Sequence, residues 1–106
     1  MKKMKVFISQ PMKGLSEKEI KAVRRKAIES IKSICGDDIE IIDNYFDNDE
    51  KPLFNLGKSI ELLSTADIIY ICNGWHKARG CKIEYMCASD YGIKIIFENG
   101  VIFNEN

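Results

Sequence analysis

One carboxylate of this chain stands where a ligand site would be expected. Residues 78–84 follow a strand-like apolar run at 68–72 and a polar turn at 73–77, and we predict that they open a helix with Glu84 in its first turn. Ligand sites of open parallel sheets lie at the carboxyl ends of strands, facing helix N-termini. A carboxylate that the helix dipole keeps ionised can attack an electrophilic sugar carbon. The same position suits an acidic residue that only stabilises its own helix, and position alone favours that structural role.

A second candidate turn follows the first predicted strand. Residues 10–16 contain the cation Lys13 and backbone amides near Gly14, both suited to an anion at a helix start. The turn has neither the Gly-x-x-x-x-Gly-Lys phosphate loop nor the dinucleotide fingerprint. A phosphate contact and an ordinary turn therefore both remain open. A third turn, at residues 44–52, is polar and acidic.

The turn before Glu84 holds two further candidates, Trp75 and His76. A large ring on a loop can stack on a base or fill a subunit interface, and Trp75 suits either role. His76 is the only histidine, and the four cysteines show no Cys-x-x-Cys pair, so we expect no metal site and no disulfide framework. The cysteines are interpreted as small buried apolar residues. A nucleophilic pair of His76 with Cys72 or Cys81 is a weaker alternative, because no third group is placed to orient it.

Alternating strands and helices must position these residues. Apolar runs predict strands at 5–9, 39–43, 67–72 and 93–97. The capping box of Ser16 and Glu19 opens a first helix, Pro52 opens a second, and the third is expected at residues 80–91. Asn99 and Gly100 form a strong hairpin signal, so residues 101–103 are expected to return as a short antiparallel edge strand.

This alternation predicts an α/β fold in a single domain over residues 1–106. Crossover connections between strands imply a mostly parallel sheet with helices on both faces. We therefore expect a three-layer α/β/α sandwich of four to five strands, of the flavodoxin-like or Rossmann-like type. In such a sheet the three polar turns meet along one edge, which is where the candidate residues would form a site.

Charge and hydropathy exclude several classes of function. Sixteen basic and sixteen acidic side chains cancel, so no global field draws the chain to a nucleic acid polymer or an anionic membrane. No apolar run approaches the roughly 20 residues of a membrane span. The first residues enter a strand directly, without the apolar segment of a secretory signal. We therefore expect a cytoplasmic protein.

The chain also resembles a known family, the nucleoside 2-deoxyribosyltransferase-like proteins, and within it a small branch that opens with a strand and Ser-Gln-Pro-Met. Residues 6–14, which read VFISQPMKG, match that opening. Residues 56–59, 66–67 and 80–84 match later blocks of the family in the same order. The resemblance spans about residues 4–97, which is nearly the whole chain.

The resemblance implies an activity and a set of site residues. Glu84 corresponds to the family's nucleophile, which cleaves the N-glycosidic bond of a 2′-deoxynucleoside or its monophosphate through a covalent deoxyribosyl-enzyme intermediate, without a cofactor. A second base or water then takes the sugar. The residues implied to bind substrate are Ser9, Gln10 and Met12 for sugar or base, Lys13 and Gly14 for phosphate, Ser59 and Gly80 beside the nucleophile, and Trp75 and Arg79 at the mouth.

Two departures from the family pattern keep a second hypothesis open. The enzymes carry a helper aspartate where this chain has Ser59, and some carry another where it has Ala78. The alternative is a non-catalytic module that binds a nucleotide derivative or a protein partner on the same fold. Family members assemble as homodimers or larger oligomers, and the resemblance implies the same assembly here.

Overall fold

The computed structural model describes residues 3–45 and 51–103. Within these ranges the chain forms five strands, three α-helices and one short 3₁₀ turn. The strands are β1 (Met4–Ser9), β2 (Ile39–Ile41), β3 (Ile68–Ile71), β4 (Lys94–Phe97) and β5 (Ile102–Phe103), the helices are α1 (Glu17–Cys35), α2 (Pro52–Leu63) and α3 (Arg79–Asp90), and the 3₁₀ turn is Trp75–Lys77.

The strands form one sheet in the order β2-β1-β3-β4-β5. The first four are parallel to one another, and β5 pairs antiparallel with β4. The hairpin between β4 and β5 turns at Gly100, whose φ of 93° is a left-handed conformation that favours glycine. The predicted α/β fold, with a parallel sheet and an antiparallel edge strand, is confirmed.

The two faces of the sheet are covered by different helices. Val6, Ile8 and Tyr70 pack with Ala27 and Ile31 of α1 on one face. On the other face the sheet residues pack against α2 and α3 through side chains such as Leu63 and Ala88, and the cluster there includes Phe7, Ile69, Ile71 and Ile95. Because successive strand residues point to opposite faces, the buried residues of β1, β3 and β4 alternate between the two layers, and a three-layer sandwich results.

Local sequence signals account for the helix ends. The Ser16 hydroxyl accepts a hydrogen bond from the Glu19 backbone N–H, and the Glu19 carboxylate accepts one from the Ser16 backbone N–H, so the predicted capping box is present. Pro52 is the first residue of α2, as predicted. Among the residues described, no helix combines the length and the apolar character needed to cross a membrane.

The third helix corrects one prediction. It begins at Arg79 rather than Gly80, so Glu84 is its sixth residue and lies in the second turn, and the first turn holds no acidic residue. The expectation of a first-turn carboxylate was therefore wrong. Because the helix dipole acts mainly within the first turn, it does not determine the ionisation of Glu84.

Candidate functional site

A cavity of about 590 Å³ opens at the carboxyl ends of the parallel strands. Its walls are the turns that follow β1, β2 and β3, together with the N-terminal halves of α2 and α3. Gly74, which lies beside the ring of Pro11, adopts a left-handed φ of 85° that favours glycine. Of the predicted site residues, those that line the cavity are Gln10, Met12, Lys13, Ser59, Arg79, Gly80 and Glu84.

Glu84 lies at the floor of this cavity. Its side chain is only 8% exposed. One carboxylate oxygen accepts a hydrogen bond of 2.6 Å from the Ser9 hydroxyl, and the other accepts one of 2.9 Å from the Ser59 hydroxyl. The carboxylate is therefore held at both oxygens by hydroxyl groups from two other elements of the fold.

Strand alternation and helix periodicity bring these three residues together. Ser9 ends β1 two residues after Phe7, so its side chain points to the same face, the one that α2 and α3 cover. On α3, Glu84 shares the buried stripe of Cys81 and Ala88. On α2, Ser59 is four residues from the buried Leu63. A charged or hydroxyl side chain in an otherwise apolar stripe is the sequence signal that indicates this cluster.

The environment of Glu84 favours its neutral form more than the helix position suggested. Burial raises the pKa of the Glu84 carboxyl above its ordinary value of 4.5, and the hydrogen bonds from Ser9 and Ser59 lower it in part. The desolvation cost of the charged form is the largest cause. The pKa of Glu84 therefore depends on burial, which raises it, and on two hydroxyl donors, which lower it, and not on the helix dipole as predicted.

The charges around the cavity are uneven. Lys13, Lys77 and Arg79 are exposed residues of its lining. Among the described lining residues, Glu84 is the only acidic one. The arrangement suits an anionic ligand at the mouth whose other end reaches a buried carboxyl group. Over residues 3–45 and 51–103, no three histidine, cysteine or acidic side chains are grouped so as to hold a metal ion.

Two buried amides brace the cavity wall. Asn44 donates to the Ile8 carbonyl at 2.9 Å and accepts from the Arg24 guanidinium at 2.9 Å. Gln10 donates to the Ile20 carbonyl at 3.0 Å, and its oxygen has no hydrogen-bond partner among the residues described. Asn44 carries no signal of this role in the sequence, since an asparagine just after a strand is ordinary turn composition. Its role depends on contacts with residues distant in the chain.

Trp75 and Gly14 do not belong to the cavity lining. The Trp75 ring is half-buried and packs on Tyr85, with ring centroids 4.8 Å apart, and on Phe97, with ring centroids 5.7 Å apart. These contacts lie within one layer of the protein, so the structure gives the ring a packing role in place of the predicted position at the mouth. Ser9 lies beneath the lining and reaches the site through its bond to Glu84.

The thiols nearest the site are buried. Cys72 packs in the α1 layer, on the face of the sheet opposite to Glu84, and burial raises its pKa to about 12. Cys81 lines the cavity, and burial raises its pKa to about 11, partly offset by a hydrogen bond with Ser9. Because the thiolate is the nucleophilic form, these values argue against the alternative of a nucleophilic pair of His76 with Cys72 or Cys81.

Comparison with known proteins identifies the family of this chain. The fold is similar to that in the crystal structure of a conserved protein from Enterococcus faecalis V583, with a TM-score of 0.68 at 16% identity over 90% of this chain. This chain covers 62% of that protein, less than two thirds of its length, and at this identity the likeness shows the fold alone. No curated protein sequence matches the chain. The family model of DUF4406, a domain of unknown function, matches residues 4–97, and the chain therefore belongs to the DUF4406 family.

Proposed function

We propose that this protein is a nucleoside or nucleotide 2-deoxyribosyltransferase, or a deoxynucleotide N-glycosidase, that uses Glu84 as its nucleophile. The observation that carries the proposal is a buried carboxylate whose two oxygens each accept a hydroxyl hydrogen bond at the floor of a cavity. A nucleophile must be fixed in a near-attack geometry, and these two bonds fix the Glu84 side chain. The resemblance to the deoxyribosyltransferase-like proteins supports the same role.

In the proposed reaction an oxygen of Glu84 forms a bond to C1′ of the sugar while the bond from C1′ to the base nitrogen breaks. The electron pair of that bond goes to the base, which takes up a proton from water. The product is an ester between the sugar and Glu84. Water, or the nitrogen of a second base, then attacks C1′ and releases the carboxylate, so configuration at C1′ is retained.

The other site residues have supporting roles in this proposal. Ser9 and Ser59 hold the carboxylate and stabilise its charge when the ester breaks. Lys13 and Arg79, exposed at the mouth, would pair with a 5′-phosphate. Gln10 and Met12 line the space available to the sugar and the base.

The test is incubation with the four deoxynucleosides and their monophosphates, each with and without a free acceptor base, followed by chromatography of the bases. We expect base release or exchange that Glu84→Gln abolishes and that the matched exposed control Glu29→Gln retains. Only the ionised carboxylate is nucleophilic, so kcat should rise with pH through the raised pKa of Glu84. If no deoxynucleoside or deoxynucleotide loses its base, the proposal fails.

A second candidate function is non-catalytic binding of a nucleotide derivative. The raised pKa of Glu84 favours it, because a neutral carboxyl group hydrogen-bonds a ligand but does not attack it. This function predicts that a nucleotide raises the melting temperature without being consumed, since a ligand that binds only the folded state stabilises it. Turnover of the stabilising nucleotide would contradict it.

Assembly as a homodimer or larger oligomer is a further part of the proposal, and it is supported by the resemblance alone. Sedimentation equilibrium of the purified chain tests it. A monomer at all concentrations would contradict it.

A further inference from the structure

The cavity above Glu84 is larger than a mononucleotide requires. Its volume is about 590 Å³. A nucleoside monophosphate of about 23 non-hydrogen atoms occupies roughly 350 Å³ at the packing densities of organic matter. A dinucleotide joined by a pyrophosphate has about 44 such atoms and occupies roughly 680 Å³ on the same basis. The cavity therefore has room for more than a mononucleotide, and a dinucleotide would fill it and extend past its open mouth.

The charges of the lining match such a ligand as well. Lys13 is contributed by the turn after β1, whereas Lys77 is contributed by the 3₁₀ turn after β3 and Arg79 is the first residue of α3. Cations on two separate turns can each pair with one phosphate of a pyrophosphate. At the floor the sign reverses when Glu84 is ionised, a form that a cationic group beside it favours. A complementary ligand thus carries two phosphates and a positively charged group at the end that reaches Glu84.

Apolar side chains are also available for two flat rings. Met12 lines the cavity from the turn after β1, and Leu56 lines it from α2. Ligand sites of this kind combine an apolar lining with a few charged groups that orient the ligand. An oxidised nicotinamide dinucleotide has two rings, one of them a cationic pyridinium, and a pyrophosphate between them.

We propose that this cavity binds an oxidised nicotinamide dinucleotide and that Glu84 cleaves its nicotinamide N-glycosidic bond. The inference rests on the proposed function in one respect, that Glu84 is the nucleophile, and it adds a substrate class. The Glu84 oxygen bonds to C1′ as the bond from C1′ to the pyridinium nitrogen breaks, and the electron pair neutralises the ring. Water then cleaves the ester, so that dinucleotide and water yield ADP-ribose, nicotinamide and a proton.

This substrate suits the site chemically. A pyridinium leaves as neutral nicotinamide without taking up a proton, so the first step requires from the protein only an ionised nucleophile. The positive ring is also attracted to the Glu84 carboxylate, and its charge favours the ionised form of that group. Both effects act at the atoms that react.

The experiment compares four substrates by chromatography: NAD⁺, nicotinamide mononucleotide, NADH and the deoxynucleoside monophosphates. We expect nicotinamide release from NAD⁺ with a kcat/KM about tenfold or more above that for nicotinamide mononucleotide, which lacks the second half. NADH has nearly the same shape but no cationic leaving group, and we expect no cleavage of it. Glu84→Gln should abolish release while NAD⁺ still raises the melting temperature of the variant.

Matched lysine variants test the charge assignment. Lys77→Ala is expected to raise KM for NAD⁺ about tenfold, since a charge-assisted phosphate contact is lost. Lys82→Ala removes an exposed cation of α3 that lies outside the cavity lining and should leave KM unchanged. If Lys77→Ala and Lys82→Ala change KM for NAD⁺ equally, the assignment of the pyrophosphate to the cations at the mouth of the cavity is overturned.

The outcomes separate this inference from the proposed function. If deoxynucleotides lose their bases and NAD⁺ does not, the inference is overturned and the proposed function stands. Equal kcat/KM for NAD⁺ and nicotinamide mononucleotide overturns the dinucleotide assignment. If no substrate is cleaved, the nucleophile role of Glu84 fails and both proposals fail with it.

Discussion

Replacing Glu84 by glutamine is expected to stabilise the folded protein above acidic pH. Burial raises the pKa of this carboxyl group above its ordinary value of 4.5, so ionisation is less favourable in the folded state than in the unfolded state. A group of this kind contributes stability below its unfolded-state pKa, and the contribution is lost as the pH rises through its folded-state pKa. The wild-type protein therefore bears the cost of an ionised, buried Glu84 at neutral pH and above.

The magnitude follows from the contacts of the carboxylate. Its hydrogen bonds of 2.6 and 2.9 Å are each worth about 1.5–3 kcal/mol for a charged acceptor. Since the pKa of Glu84 is raised in spite of these hydrogen bonds, the free-energy cost of desolvating the carboxylate exceeds the stabilisation that the two bonds provide. Glutamine keeps the shape, accepts from one serine and donates to the other, and has no charge to desolvate. We expect a net gain of about 1 kcal/mol, or a rise in Tm of about 4–8 °C for a domain of this size.

The assay is thermal unfolding by circular dichroism between pH 4 and pH 9 for the wild type, Glu84→Gln and the exposed control Glu29→Gln. The gain of Glu84→Gln in Tm should be small at pH 4 and should grow as the pH rises, whereas the control should show no such trend. A gain that is equal at pH 4 and pH 9 would refute the reasoning. So would a loss of stability at pH 9, because it would mean that the two hydrogen bonds outweigh desolvation.

Three further predictions concern the surroundings of this site. Ser9→Ala and Ser59→Ala should each lower the free energy of unfolding, measured by urea denaturation, by about 1.5–3 kcal/mol at pH 8, because each leaves an ionised carboxylate oxygen of Glu84 without its donor. The loss should be smaller at pH 4. A larger loss at pH 4 than at pH 8 would contradict this. Asn44→Ala should lower the free energy of unfolding by about 2 kcal/mol in the same assay, since it leaves its buried hydrogen-bond partners unpaired. A decrease below about 0.5 kcal/mol, the size expected of an ordinary surface substitution, would contradict it. Cys72 and Cys81, whose pKa values burial raises to about 12 and about 11, should resist iodoacetamide in the native state at pH 8 by mass spectrometry; alkylation of either thiol as fast as in the unfolded chain would argue against this.

The fold was predictable because its signals are local. Consecutive apolar residues indicate strands covered on both faces, and a capping box, an N-terminal proline and an Asn-Gly turn mark the ends of elements. The handedness of crossover connections then leaves few topologies. Segment ends were less exact: the third helix starts one residue earlier than predicted, at Arg79. The part of the predicted polar loop at residues 46–50 lies outside the described residues.

The candidate site was predictable in place but not in its electrostatics. Glu84 could be located because it follows a strand and a polar turn, and because its surroundings resemble a known family. Its pKa could not be predicted, since the direction depends on how completely α2 and the sheet cover it. The predicted position of Trp75 at the mouth of the cavity differs from the one observed. A ring in a turn packs wherever the fold offers partners, and here these are Tyr85 and Phe97.

By itself, then, the sequence determined the elements, their order and the edge of the sheet where polar turns meet, since each of these depends on residues close together in the chain. Only the tertiary structure decided that Ser9, 75 positions from Glu84, and Ser59, 25 positions from it, both donate to its carboxylate. It also decided that burial, rather than the helix dipole, dominates the pKa of that group. Hydrogen bonds and desolvation depend on distances that arise only when the layers pack.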